Sequence, residues 1–153
     1  MGVREKAIAV GLACAIAAPM EGLRQRAYRD PVGIPTICFG STKGVQIGDT
    51  KTEAECKAML TAEMLETVNV VDRCVPNLPP RVLAAVSDAA YNVGHAIACN
   101  PEKSTVARRL KAGDIRGACD ALLAWDKARI GGVLVALPGL TKRRQMEHDL
   151  CLS

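Results

Sequence analysis

Aromatic residues are scarce in this chain of 153 residues, which contains one Trp, two Tyr and one Phe. A hydrophobic core must therefore be built from Ala, Val, Leu, Ile and Met. Only two histidines occur, and no two cysteines are spaced as Cys-x-x-Cys, so the usual ligand spacing of a zinc site is missing. We expect neither a metal nor a cofactor.

The chain also lacks an apolar run long enough to cross a bilayer. Residues 7–20 form an apolar run of fourteen residues, about 21 Å of helix against roughly 30 Å of hydrocarbon. Most of these residues are Ala or Gly, so the run would be a weak anchor. It follows Arg4 and Lys6, and a basic start before an apolar segment is typical of an export signal. The alternative is an ordinary buried helix of a soluble protein.

The charge balance is basic, with 20 Lys and Arg against 16 Asp and Glu, or +4. Such a balance suits a polyanionic partner, whether cell wall, anionic lipid or nucleic acid. It does not choose among them. No helix with base-reading side chains stands out, so we expect no nucleic-acid partner.

Cysteine is unusually frequent, with seven residues. Cys14 lies in the apolar run, and six more lie in the body of the chain. Disulfides in an oxidising compartment explain this number better than reduced buried thiols, although the latter remain an alternative. Six cysteines allow 15 complete pairings. We predict two or three disulfides and favour Cys119–Cys151, whose members lie on the last two predicted helices.

Local signals predict a mainly helical α+β fold. We expect a helix over residues 4–28 that buries Ile8, Leu12 and Ile16, and a stop at Asp30-Pro31. A strand or hairpin over 32–40 follows, which 41–51 completes as a small sheet. Further helices are predicted over 52–72 and 80–93, from Ser104 or Pro101 to Ala112, and after Asp114. Residues 129–139 are predicted to form an apolar loop, and Thr141 to cap the last helix.

Glu21 directly follows the apolar run and precedes Asp30 and Thr36 in the pattern Glu-x8-Asp-x5-Thr. A pair of carboxylates across a cleft is what glycoside hydrolysis requires: one donates a proton to the leaving oxygen, and the other stays ionised. Spacing alone is weak evidence, because such pairs occur by chance.

The residues around the pair make the pattern specific. Gly-Leu follows Glu21, Asp30 closes Tyr-x-Asp, and Thr36 opens Thr-Ile-x-x-Gly. With these features the chain closely resembles the phage-type lysozymes, the endolysins of glycoside hydrolase family 24. The resemblance implies a lysozyme-like fold and a catalytic Glu21, Asp30 and Thr36. It extends to Tyr91-Asn92-Val-Gly94 and to Gly-Leu-x-x-Arg143-Arg144. We expect Tyr91, Asn92, Arg143 and Arg144 to bind substrate, the two arginines as exposed contacts to peptidoglycan carboxylates.

The same resemblance gives the apolar run a role. Some endolysins carry a signal-arrest-release segment, a weakly hydrophobic leader that is exported without cleavage, held in the inner membrane and later released to the periplasm. We therefore divide the chain into a leader (1–20) and a catalytic domain (21–153). In one subset of these enzymes a leader cysteine controls a catalytic cysteine. Asp30 occupies that position here, so such control cannot operate in that form.

The hypothesis is a monomeric endolysin that hydrolyses the β-1,4 bond between N-acetylmuramic acid and N-acetylglucosamine in peptidoglycan. It associates transiently with the inner membrane through residues 7–20. Two alternatives are a basic helical module that binds nucleic acid and a lysozyme fold that binds the wall without catalysis. The first leaves seven cysteines and the apolar run unexplained.

Overall fold

Seven helices and two small antiparallel hairpins make up the computed structural model, which describes residues 2–153. The helices, in chain order, are α1 (Val3–Glu21), α2 (Glu53–Cys74), α3 (Pro80–Val93), α4 (Ala96–Cys99), α5 (Thr105–Lys111), α6 (Ile115–Leu122) and α7 (Pro138–Leu152). Strands β1 (Arg24–Arg29) and β2 (Pro35–Cys38) form one hairpin, and β3 (Lys127–Ile130) and β4 (Val133–Ala136) form the other. The predicted α+β, mainly helical class is confirmed.

The first helix ends earlier than predicted. Gly22 closes α1 with a φ of 76°, and its N–H donates to the carbonyl of Ala18. Glycine adopts this backbone region without the steric penalty of a Cβ. Residues 24–29 then form strand β1, so the prediction of helix as far as Tyr28 is wrong. The effective stop is Gly22, eight residues before Asp30-Pro31.

Helix α1 is part of the core and packs on α2 and α3. Ala9, Ala13 and Ala17 are fully buried on this helix, and Ile16 is nearly so. Leu12 is only partly buried, and Ile8 remains 46% exposed, so the expectation that Ile8 is buried is wrong. None of the helices in the described part of the chain is long and apolar enough to span a membrane.

Residues 41–51 extend the first sheet on a different edge from the one predicted. Arg26 bridges to Thr50, and the N–H of Ala27 donates to the carbonyl of Asp49. The segment therefore pairs mainly with β1, whereas its contact with β2 is a single bridge between Ile37 and Ser41.

The predicted loop at 129–139 is instead largely the β3–β4 hairpin. Gly131 and Gly132 form its two-residue turn, with φ values of 58° and 84°. Two successive positive φ values are what the commonest hairpin turn requires, and Gly-Gly meets this without strain. The last helix then begins at Pro138, so Thr141 lies inside its first turn and is not the predicted cap.

Three disulfides join the six cysteines of the body. They are Cys38–Cys56, Cys74–Cys99 and Cys119–Cys151, and Cys14 is free. The favoured pair Cys119–Cys151 is confirmed. Each bridge ties a different pair of elements: β2 to α2, α2 to α4, and α6 to α7.

We expect non-reducing peptide mapping of exported protein to return these three linkages and one alkylatable thiol, at Cys14. The closed loops span 18, 25 and 32 residues, so each bridge should contribute roughly 3–4 kcal/mol to the free energy of unfolding. Protein alkylated under denaturing, non-reducing conditions serves as the control for free thiols. A different pairing, or a body cysteine found free, would contradict the arrangement.

Candidate active site

Glu21 is the last residue of α1, and its carboxylate lies between α7 and the loop after β2. Its Oε1 accepts a hydrogen bond from Arg143 Nη1 at 2.6 Å. The Glu21 side chain is 24% exposed, whereas that of Arg143 is 4% exposed. One side of the carboxylate is therefore fixed by the protein, and the remainder reaches a cleft with a volume of about 640 Å³.

Gly40 forms the wall opposite the second carboxylate oxygen. A Cβ at this position would lie 3.4 Å from Glu21 Oε2, and the backbone φ is 90°. A residue with a Cβ would therefore strain the backbone and place that Cβ in contact with the carboxylate. This gives a physical reason for glycine at the end of the Thr-Ile-x-x-Gly motif.

Arg143 is at the centre of a buried charge network. Its Nε and Nη2 donate to the two carboxylate oxygens of Asp88 on α3, at 2.9 and 2.8 Å. Asp88 is fully buried, and Glu147 Oε1 lies 4.0 Å from Arg143 Nε. One guanidinium thus joins the end of α1 to α3 through α7.

Arg144 extends the network away from the cleft. Its Nη2 donates to Glu147 Oε1 at 2.6 Å and to Asn92 Oδ1 at 2.9 Å, and its Nη1 donates to the carbonyl of Trp125. Arg143 and Arg144 are 3% and 0% exposed. The expectation that they are exposed contacts to the wall is therefore wrong: both guanidinium groups are committed to internal partners.

Glu147 is fully buried within this network, and burial together with the neighbouring Asp88 raises its pKa to about 9. The hydrogen bond from Arg144 opposes this shift without cancelling it. With Glu147 protonated, the network contains two guanidinium groups, of Arg143 and Arg144, and two carboxylates, of Asp88 and Glu21. The charges of the network then balance, which is what burial of so many ionic groups requires.

Asp30 and Thr36 lie on the first hairpin, outside the residues that line the cleft in the described part of the chain. Asp30 Oδ1 accepts from the backbone N–H groups of Val32 and Ile34, at 3.0 and 2.9 Å. Thr36 is buried, and its hydroxyl donates to the carbonyl of Ile34 at 2.9 Å. The turn between β1 and β2 thus fixes both side chains through its own backbone.

Helix α2 supplies a cleft wall that the sequence analysis missed. Glu63 and Glu66 of this helix line the cleft, together with Tyr91 and Asn92 from α3. The Tyr91 hydroxyl donates to Glu63 Oε2 at 2.9 Å. Burial, and then the Glu63 carboxylate, raise the pKa of Tyr91, so its proton stays in place.

Lys43 and His95 also line the cleft, as do the hydroxyl residues Ser41, Thr42 and Thr67. Within residues 2–153, no group of three or more His, Cys, Asp or Glu side chains is arranged to hold a metal ion. The arrangement therefore offers a carboxylate at the edge of a polar cleft, with a second carboxylate on an adjacent hairpin.

Known proteins resemble this chain in sequence and in fold. The family model described as phage lysozyme matches residues 18–147. A SAR-endolysin of bacteriophage PS119 is 39% identical over 135 residues, which cover 87% of this chain and 77% of the relative. A SAR-endolysin of Pseudomonas phage phiKMV is 36% identical over 151 residues, which cover 98% of this chain and 91% of the relative.

Among solved structures, the endolysin from Escherichia coli O157:H7 phage FAHEc1 superimposes with a TM-score of 0.79 and is 30% identical. The match covers 100% of this chain and 94% of that one. With a family model over most of its length and relatives that align nearly end to end, the chain belongs to the phage lysozyme family.

Proposed function

We propose that this chain is the endolysin of a phage and that Glu21 protonates the glycosidic oxygen between N-acetylmuramic acid and N-acetylglucosamine. As a member of the phage lysozyme family the chain is a peptidoglycan-hydrolysing lysozyme. The observation that carries the assignment of Glu21 is its setting: a carboxylate at the end of a helix, held on one side by Arg143 and open on the other to a polar cleft.

Arg143 acts in this proposal as a positioning residue. Its charge is already matched by the two-point contact with Asp88, so its bond to Glu21 mainly fixes the direction of the carboxylate. A fixed direction matters because proton transfer requires the acid within hydrogen-bonding reach of the leaving oxygen. Arg144 likewise fixes the direction of the Asn92 side chain, because its guanidinium donates a hydrogen bond to Asn92 Oδ1.

Asp30, on the adjacent hairpin, is the second carboxylate of the proposal, and its negative charge would favour the positive charge that develops at the anomeric carbon. Oδ1 already accepts two backbone N–H groups, which fixes the orientation of the carboxylate. Thr36 donates its own hydroxyl proton to Ile34, so towards a catalytic water it acts as an acceptor. Tyr91 and Asn92 contact the sugar chain from the α3 side of the cleft.

Product analysis on isolated peptidoglycan tests the reaction class. A muramidase leaves new reducing ends at N-acetylmuramic acid, which borohydride labelling and mass spectrometry identify. New reducing ends at N-acetylglucosamine, or cleavage confined to the peptide stems, would contradict the proposal. The reaction should need no added metal, because each step uses the side chains of the chain itself.

We further propose that residues 7–20 hold the exported, monomeric chain transiently in the inner membrane before its release to the periplasm. The relatives named SAR-endolysin support this role, since one of them aligns over 98% of the chain. In the soluble form the same residues belong to α1, whose last residue is Glu21. A chain with this segment in lipid cannot place Glu21 beside Arg143, so it is inactive until release.

Strengthening the anchor should delay lysis. Gly11 and Ala15 are exposed on α1, and a Cβ at Gly11 would meet no atom within 4 Å, so Leu fits at both positions of the folded enzyme. Each Leu favours insertion by a few tenths of a kcal/mol or more. We expect Gly11→Leu/Ala15→Leu to leave more protein in the membrane fraction and to postpone lysis of induced cells.

The matched control is Ala58→Leu/Ala62→Leu, which adds leucine to two exposed positions of α2. It should change neither the amount of protein in the membrane fraction nor the time of lysis. Unaltered release of the α1 variant, or a mature chain that starts near Ala18, would contradict the anchor and indicate an ordinary export signal.

A further inference from the structure

The β3–β4 hairpin presents a solvent-exposed aliphatic surface that catalysis does not use. Its register pairs Ala128 with Val135 and Ile130 with Val133. Directly opposed residues of an antiparallel pair project to the same side of the sheet, and successive residues alternate. Ala128, Ile130, Val133 and Val135 therefore share one side, which we call the apolar face.

The opposite side of the hairpin carries its positive charges. It is formed by two cross-strand pairs, Lys127 with Ala136 and Arg129 with Leu134. Lys127 pairs with Asp126 at the foot of the hairpin, whereas Arg129 forms no ion pair with any carboxylate among residues 2–153. Arg129 Nη1 donates instead to the carbonyl of Gly132, which keeps its charge at the turn.

The apolar face is open to solvent. Ile130, Val133 and Val135 are 56%, 62% and 39% exposed. The sheet has only two strands, so no third strand in the described part of the chain covers its edges. When exposed aliphatic side chains of a folded domain adjoin one another, the patch that they form indicates an interaction site.

We propose that this hairpin docks on the surface of a phospholipid bilayer with anionic headgroups. The apolar face enters the boundary between headgroups and acyl chains, and Arg129 at the turn binds lipid phosphate. This combination of an aliphatic side and an unpaired cation is the charge and polarity pattern of an interfacial anchor. The open backbone edges of the hairpin limit how deeply it can insert into the bilayer, since unpaired N–H and C=O groups are not tolerated in hydrocarbon.

Two other occupants fit the hairpin less well. The apolar face has no aromatic ring and no hydrogen-bonding side chain, so it lacks the polar groups that orient a hydroxyl-rich glycan. A second copy of the chain would need a larger surface, because a stable protein interface uses about 20–30 residues on each side. The hairpin has four residues in each strand and two in its turn.

Vesicle sedimentation of the full-length purified chain tests the proposal. The probes are vesicles of phosphatidylethanolamine with phosphatidylglycerol, and vesicles of phosphatidylcholine alone. We expect Ile130→Thr/Val133→Thr to weaken binding to the anionic vesicles by at least about tenfold. Threonine keeps the branched shape and the strand preference of the residues it replaces. Arg129→Gln should weaken binding about fivefold and lower its sensitivity to salt.

The matched control is Leu134→Thr, which removes an equally exposed aliphatic residue from the opposite side. It should bind within about twofold of the unaltered chain, since its side chain is not on the docking side. Helix α1 is identical in every variant, so any membrane affinity of residues 7–20 cancels in the comparison. All variants should digest soluble peptidoglycan fragments at the normal rate, which keeps this test separate from the catalytic assignment.

Three results would overturn the proposal. Equal vesicle binding by Ile130→Thr/Val133→Thr and Leu134→Thr would show that the apolar face does not contact lipid. Loss of binding to isolated sacculi with vesicle binding intact would assign the face to the wall. A concentration-dependent dimer in sedimentation velocity that the variant abolishes, without vesicle binding by the unaltered chain, would assign it to a second copy.

Discussion

Clearing of permeabilised Gram-negative cells is expected to fall at least ~10²-fold when Glu21 is replaced by Gln. The amide keeps the size of the carboxyl group and can still accept the hydrogen bond from Arg143, but it has no proton of suitable acidity to give to the leaving oxygen. Turbidity measured against time gives the rate, and thermal unfolding shows that the fold persists. The matched control is Glu102→Gln, at an exposed position outside the cleft lining.

Near-normal clearing by folded Glu21→Gln protein would remove the enzymatic assignment of this residue. Loss of activity with a large drop in melting temperature would instead show that Glu21 acts by holding α1 to α7. Asp30→Asn separates chemistry from structure on the hairpin, because an amide oxygen can still accept from Val32 and Ile34. We expect it to be nearly as inactive as Glu21→Gln.

Replacing Arg143 with Met should lower the free energy of unfolding by about 3–5 kcal/mol. The change removes the only guanidinium within hydrogen-bonding distance of the fully buried Asp88 in the described part of the chain. A buried carboxylate that has lost its guanidinium partner is either destabilised by its full desolvation free energy or takes up a proton. Denaturant unfolding measures the loss, and lysis should decrease as well because Glu21 is no longer held.

The control for this change is Arg109→Met. Arg109 pairs with Asp114 on the surface, where its side chain is 56% exposed, and such pairs contribute less than about 1 kcal/mol. The double variant Arg143→Met/Asp88→Asn should be less destabilised than the sum of the single changes, because it leaves no unpaired buried charge. An Arg143→Met protein as stable as the Arg109→Met protein would contradict the network.

Local chemistry was enough to predict several helices from the sequence. Pro80 and Gly94 bound α3 as expected, and Ser104 and Asp114 cap α5 and α6 through their side chains. Each signal acts within one turn of the residues it affects, so no knowledge of the fold is required. The capping box at Thr52 and Glu55 likewise opens α2.

The sequence predictions that the structure contradicts depend mostly on contacts between distant parts of the chain. Two arginines on a helix are usually exposed. The burial of Arg143 depends instead on Asp88, 55 residues away, and that of Arg144 on Asn92, 52 residues away. The sequence signal for this burial is Asp88 itself, the one acidic residue of the helix that Pro80 opens. A charge in such a place needs a partner of opposite sign. The stop at Gly22 and the turn at Gly131 and Gly132 are, in contrast, local signals that the glycines themselves carry.

The three buried alanines of α1 also determine how freely its sequence can change. Ala9, Ala13 and Ala17 recur at intervals of four residues and have no exposed surface, so each larger replacement there should cost about 1–3 kcal/mol through overpacking. Mutation can therefore adjust hydrophobicity only on the outward side, at positions such as Ala7, Gly11 and Ala15. A phage lineage that retunes its lysis time through this helix should accumulate its changes on that side alone, while the inward side stays small.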